Sequence, residues 1–226
     1  GVVYRDQAAT LVELGQLLAW RPAVIRFVDR TFNAPPARAL AIWRFLAEET
    51  ARHGYETVFH FEIAPDLFDE ASLAFLVTVP PGLFRFEIGL QSFTPASLAA
   101  VNRQPDLAGA EANIRHLVAQ DNIHLHLDLI LGLPFETRAS YLASLNRLLA
   151  LRPHHLQLGL LKVLPDTPLA ARREEFGLRH SQTPPYPVLA SRWLPQDELA
   201  ELYRLGELIE DFYNPRYFAA TLGYLL

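Results

Sequence analysis

Between Ile123 and Leu131 apolar and polar positions alternate almost without a break. His124, His126, Asp128 and Ile130 fall on one side, and Leu125, Leu127, Leu129 and Leu131 on the other. A period of two predicts a β-strand, and an all-leucine side predicts a face buried under helices. Gly132-Leu133-Pro134 stops the strand, and Thr137 opens a helical pattern running to about Leu151. Related alternation marks strands beginning near residues 24, 57, 84 and 155. Their apolar sides are Phe59, Phe61 and Ile63; Phe84, Phe86 and Ile88; and Leu156, Leu158 and Leu160. The opposite sides carry His60 and Glu62; Arg85, Glu87 and Gln91; and His155 and Gln157.

Helical spacing fills the intervals. It predicts helices over 6–20, from about 36 to His53-Gly54, near 69–78, from Pro95 (with Thr94 as N-cap) to Asn102, over 107–120 and 137–151, and briefly from Thr167-Pro168. Residues 179–194 are Pro-rich and read as irregular, and 195–213 reads as an amphipathic helix whose apolar stripe joins the core. Trp20, Trp43 and Trp193 are expected to anchor helices. Repeated strand–helix units predict a parallel sheet with right-handed crossovers. A doubly wound sheet is apolar on both faces, whereas these strands are polar on one, which favours a curved, barrel-like sheet with a wet interior. The expected fold is therefore α/β: a partial barrel of five parallel strands with a C-terminal helical extension. Ligands of such folds sit at the carboxyl ends of the strands.

Composition narrows the class. The 226 residues are 50% hydrophobic and 20% charged, with a formal net charge of −5, enough for one or two packed domains and no strongly basic nucleic-acid footprint. No apolar run reaches the length of a membrane span and no signal peptide is visible, so the expectation is a cytoplasmic protein without a membrane partner. The absence of cysteine excludes disulfides and thiolate metal sites within this chain. The polar strand faces leave two chemistries open. His124, His126 and Asp128 have the H-x-H spacing of a metal-dependent hydrolase barrel. Alternatively they belong to an internal hydrogen-bonded network with Arg26, Arg85, Glu62 and Glu87, because buried charges need partners.

Five motifs, each at a strand end and in order, carry a resemblance. They are Val28-Asp-Arg-Thr-Phe-Asn33, Phe61-Glu-Ile-Ala-Pro65, Glu87-Ile-Gly-Leu-Gln-Ser92, Asp128-Leu-Ile-Leu-Gly-Leu-Pro-Phe-Glu-Thr137, and Leu158–Leu164 with Pro165-Asp-Thr-Pro-Leu169. Over roughly residues 20–175 the chain resembles the radical S-adenosylmethionine (SAM) superfamily. The subgroup is that of oxygen-independent coproporphyrinogen oxidase and the tRNA methylthiotransferases. Pro184–Leu189, Trp193-Leu194 and Phe212–Asn214 are similar to an uncharacterised branch whose longer members place a cobalamin-binding domain ahead of the barrel.

The resemblance implies SAM as cofactor, with backbone oxygens of the Asp29-Arg30-Thr31 turn holding its amino group. It further implies Glu62, Gln91 and Asp128 as SAM ligands, the last two at the ribose hydroxyls, Arg103 at the carboxylate, and the loop at Gly132 at adenine. Glu87, His124, His126 and Gln157 would face the substrate. Residues 1–178 would form the barrel and 179–226 a Pro-rich segment with helices packed on it. The implied reaction is reductive cleavage of SAM to a 5′-deoxyadenosyl radical, fed by an electron donor, with cobalamin dependence in the related branch and no substrate specified. The family's Cys-x-x-x-Cys-x-x-Cys loop, which holds a [4Fe-4S] cluster after a first strand, is expected ahead of Gly1. Without it the chain should not cleave SAM reductively. A non-catalytic binding module is the remaining reading.

Overall fold

The structure is a computed structural model and describes residues 3–225; Gly1, Val2 and Leu226, which the expected segments 1–178 and 179–226 include, lie outside the described residues. Helices α1 (Gln7–Ala19), α2 (Pro36–His53), α3 (Glu70–Leu76), α4 (Pro95–Ala100), α5 (Leu107–Gln120), α6 (Arg138–Ala150) and α7 (Pro168–Ala171) alternate with strands β1 (Val24–Arg26), β2 (Val58–Glu62), β3 (Phe84–Gln91), β4 (His124–Leu131) and β5 (His155–Leu160). The five strands are parallel and hydrogen-bond in chain order, β1-β2-β3-β4-β5. Strands β6 (Arg179–His180) and β7 (Val188–Ala190), then helices α8 (Gln196–Leu208) and α9 (Ala219–Leu225), complete the order. No described helix is long and apolar enough to cross a membrane.

The chain divides into two compact units, one running to Ile88 and including Asp106–Leu125, the other Gly89–Pro105 with the chain from His126 onward. The first is built on aromatic rings. Phe61 stacks on Phe27 at 4.6 Å between centroids, and Trp43, from α2, meets Phe61 edge-on at 6.1 Å and Phe86 at 5.7 Å. Trp43, Phe59, Phe61, Phe84 and Phe86 are fully buried, as strand alternation predicts for the strand residues. Helix α2 ends where Gly54 takes the left-handed conformation at φ 60°.

The second unit is aliphatic. Leu127, Leu129 and Leu131 of β4 are at most 2% exposed, so the leucine face lies inside as expected. Helix α8 packs on β5 at Gly206, where an added Cβ would meet the Leu158 Cβ at an ordinary contact distance of 3.5 Å. Asn214 closes the edge of β5: its side-chain amide donates to the Leu156 carbonyl and its Oδ1 accepts from the Leu156 N–H, both at 2.9 Å. One side chain thus supplies what a neighbouring strand would.

Some expectations change. The stretch 179–194 is not irregular throughout: β6 and β7 pair antiparallel, and Val163 and Val188 donate to the Tyr186 and Leu161 carbonyls, extending the chain beyond β5. Trp20 is 80% exposed and anchors nothing by burial, since it follows the last turn of α1. Helix α8 stops at Leu208 and continues as a wider π turn, Ile209–Tyr213; Leu199 and Leu202 are buried whereas Leu208 and Phe212 stay exposed. Thr94 precedes α4 as expected but makes no side-chain capping bond, and its own N–H donates to the Ser92 hydroxyl.

Candidate functional site

In the first unit the strand ends carry a charged ladder. Glu62 and Glu87 are neighbours in register on β2 and β3, as are His60 and Arg85. Two carboxylates side by side repel, and the unit offsets this at Glu87. One oxygen of Glu87 receives the Arg26 guanidinium at 2.7 Å and lies 2.9 Å from His60 Nε2. Of the residues anticipated for a network, Arg26 and Glu87 thus pair with each other and with His60; Arg85 is exposed on the strand. Asp29, Arg30 and Thr31 are exposed in the β1–α2 connection. Two contacts hold that connection: Phe32 N–H donates to the Glu62 carbonyl at 2.9 Å, and the buried Asn33 amide exchanges hydrogen bonds with both backbone groups of Ala64, at 2.8 and 2.9 Å. Asn33 is a positioning residue that strand-face reasoning passed over, although it closes the Val28–Asn33 motif.

In the second unit Gln91 ends β3 at φ 69°, a left-handed conformation that turns its amide back over Gly89. A Cβ on Gly89 would lie 2.3 Å from Gln91 Nε2 and 4.0 Å from Arg103 Nη1. Arg103 is exposed and donates to the Gly89 carbonyl at 3.0 Å. The absent side chain of Gly89 therefore makes room for the Gln91 amide, while Arg103 reaches the same residue through its carbonyl. On β4, His126 Nε2 and Asp128 Oδ1 stand 3.0 Å apart, yet both atoms are buried without a well-formed hydrogen bond. The His126 ring meets His155 edge-on at 4.3 Å, and burial together with His126 pushes the His155 pKa down. Gln157 is exposed and in register with Asp128. His124 is exposed on the same face of β4 as His126. Gly132, at φ 91°, is buried beneath the C-terminal segment: a Cβ there would lie 2.6 Å from Val188 Cγ1.

The alternative of a metal-dependent hydrolase finds no support here. Among the described residues no three His, Asp or Glu side chains are grouped to hold a metal ion, and His126 Nε2 is directed at Asp128 instead. Sequence reasoning also passed over Glu136. It is 0% exposed, accepts a 2.9 Å hydrogen bond from the Ser92 hydroxyl, and has its pKa pushed up to about 7 by burial.

Comparison with known proteins adds to this geometry. The chain is 33% identical over 95 residues to the anaerobic coproporphyrinogen III oxidase 1 of Cereibacter sphaeroides, covering 42% of this chain and 21% of that protein. It is 31% identical over 121 residues to the cobalamin-dependent radical SAM methyltransferase TokK of Streptomyces tokunonensis, covering 52% and 17%. The fold matches the radical SAM methyltransferase TsrM of Kitasatospora setae with a TM-score of 0.67 at 20% identity, covering 82% of this chain and 38% of that one. These relatives and neighbours are radical SAM proteins. Structures of TsrM hold an aza-SAM analogue with tryptophan in one case, and cobalamin with a [4Fe-4S] cluster in another. The chain spans about a fifth of the length of the curated radical SAM relatives it matches. Residues 174–226 match a family described as a protein of unknown function (DUF4080).

Proposed function

We propose that this chain is the SAM-binding barrel portion of a radical SAM enzyme, with residues 1–178 as the barrel and 179–226 as a segment packed on it. The observation that carries the reading is the convergence on Gly89, whose carbonyl accepts from Arg103 at 3.0 Å and over which the Gln91 amide folds, 2.3 Å from where a Cβ would stand. Arg103 offers a guanidinium fork suited to the cofactor's carboxylate. Gln91 and Asp128 offer amide and carboxylate groups suited to vicinal hydroxyls, and the buried, poorly satisfied Asp128 Oδ1 is consistent with a carboxylate whose hydrogen bonding the protein alone does not complete. The resemblance assigns the amino group to backbone oxygens of Asp29–Thr31, a further SAM contact to Glu62, and adenine to the backbone of the Gly132 loop. When bound and reductively cleaved, SAM supplies a 5′-deoxyadenosyl radical for hydrogen abstraction.

The residues present do not fit an iron–sulfur cluster, which needs thiolates, because the chain has no cysteine. By itself the chain binds the nucleoside and does not perform the cleavage. Glu87, His124, His126 and Gln157 are the groups we assign to the substrate side. A cobalamin-dependent methyl transfer, with an external electron donor and in the reducing cytoplasm, is the specific reaction that the relationship to TokK favours. Calorimetry with SAM tests the assignment. Binding that weakens about tenfold in Asp128→Asn and in Arg103→Met, each removing one charged hydrogen bond, supports it. A folded chain with no SAM binding overturns it and leaves a non-catalytic module.

A further inference from the structure

The second unit holds one polar cluster that the ligand assignments above do not use. Glu136 sits in the turn after β4, with its own N–H donating to the Leu133 carbonyl at 3.3 Å and Phe135 before it at φ 63°. Ser92 sits in the turn after β3 and follows Gln91, which is also left-handed at φ 69°. Neither turn is a conformation its residues prefer, so something must hold each in place. The contact between them is the Ser92 hydroxyl donating to Glu136 Oε1 at 2.9 Å, both side chains being 0% exposed. Ser92 has a second task, accepting from the Thr94 N–H at 3.1 Å, and the Ser144 hydroxyl from α6 accepts from the Phe93 N–H at 3.3 Å. The Gln91 turn is thereby tied at two points, one of them to the Gly132–Glu136 turn.

We propose that Glu136 is a positioning residue for nucleoside binding: in its neutral form, through Ser92 on one side and the Gly132–Leu133 backbone on the other, it fixes the Gln91 turn against the Gly132 turn. This rests on the reading of those turns as the ribose and adenine contacts. Burial is the largest influence on the Glu136 proton; Ser92 and the backbone of Gly132 and Leu133 favour the anion less strongly, leaving the pKa at about 7. The titratable group facing it from α6 is Tyr141, buried with its hydroxyl unpartnered and its own pKa raised by burial and by Glu136. From the same helix Arg147 lies over the Phe93 ring at 4.5 Å. Glu136 Oε2 has no well-formed hydrogen bond among the described residues, so Ser92 and the Gly132–Leu133 backbone offset only part of the cost of a charge in the interior. The anion relaxes by opening the turn toward water, and the two nucleoside contacts separate.

Adenosine is the probe, because it keeps the ribose and adenine but has no group titrating near neutrality. Its affinity for the wild-type chain, measured by calorimetry, should fall about tenfold from pH 6 to pH 8, as the neutral fraction of a group with pKa about 7 falls. Glu136→Gln, neutral at every pH, should keep the pH 6 affinity and lose this decline. Ser92→Ala removes the hydroxyl that favours the anion, so it should weaken binding at pH 6 and move the midpoint of the decline upward. Infrared difference spectra of wild type against Glu136→Gln follow the carboxyl proton without any ligand. Adenosine binding with the same pH profile in wild type and Glu136→Gln overturns the role of Glu136 and leaves the SAM reading intact. A carboxyl that titrates near 7 in a chain binding no adenosine at any pH overturns the SAM reading, and this inference with it.

Discussion

The two units fill their interiors with different materials. Around Trp43 the first uses rings from α2, β2, β3 and the β1–α2 connection, and a charged cluster, Arg26–Glu87–His60, lies on the open strand face where Arg26 is 54% exposed. The second packs leucines and encloses Glu136, Ser92, Ser144 and Tyr141. Dry aromatic packing is insensitive to pH, whereas an enclosed carboxyl ties stability and geometry to a proton. The contrast teaches that the strand-end charges most visible in the sequence of the first unit are weakly held, while the most strongly perturbed acid is enclosed in a turn of the second.

The largest effect should come from breaking the ring cluster. Trp43→Ala removes a fully buried side chain against which Phe32, Phe61, Phe68 and Phe86 pack, and should cost about 3–5 kcal/mol. Urea unfolding should give the same loss at pH 5 and pH 8. A loss that depends on pH would erase the contrast between the units.

Next is the enclosed acid. Glu136 has its folded pKa raised from the ordinary 4.5 to about 7, so the folded chain holds its proton more tightly than the unfolded one. The stabilisation is fully present below pH 4.5 and is lost as pH rises to about 7, amounting to roughly 3 kcal/mol. Glu136→Gln should flatten that part of the stability–pH curve and be the more stable protein at pH 8. An unchanged slope would show that Glu136 does not carry it.

How much of this was legible in the sequence depends on range. Strand β4 was readable because a period of two is a local property, and α5 because Asp106 and Asp121 bracket an amphipathic run. The hairpin of β6 and β7 was not, since strands of two and three residues carry no period and are held by partners elsewhere, such as Val163 and Leu161. At the candidate site, Gln91 and Arg103 were nameable from motif position, but the fold of the Gln91 amide back over Gly89 exists only once Gln91 turns left-handed. Glu136 was passed over because its burial depends on a distant partner: Ser92, 44 residues earlier, donates to it from another turn.

A smaller effect separates Tyr141 from its neighbours. Its hydroxyl is buried without a hydrogen-bond partner, and Glu136 raises the cost of its ionisation. Tyr141→Phe deletes an unsatisfied polar atom and keeps the ring, so it should stabilise the chain by about 1 kcal/mol. Thermal unfolding at pH 6 measures this. A destabilised variant would mean that the hydroxyl has a partner and that the enclosed cluster is larger than Ser92 and Glu136.

The smallest effect belongs to the open strand face. Arg26 donates to Glu87 at 2.7 Å, but over half of its side chain meets water, and screened pairs of this kind contribute about 0.2–1 kcal/mol. Arg26→Gln should therefore lower stability by no more than that, and the loss should shrink further in high salt. His60 still faces Glu87 at 2.9 Å, so the carboxylate keeps a neighbour and the register of Glu62 beside Glu87 survives. A loss of several kcal/mol that salt does not diminish would mean that Glu87 is held as tightly as Glu136, and the difference between an open charged ladder and an enclosed acid would no longer divide the two units.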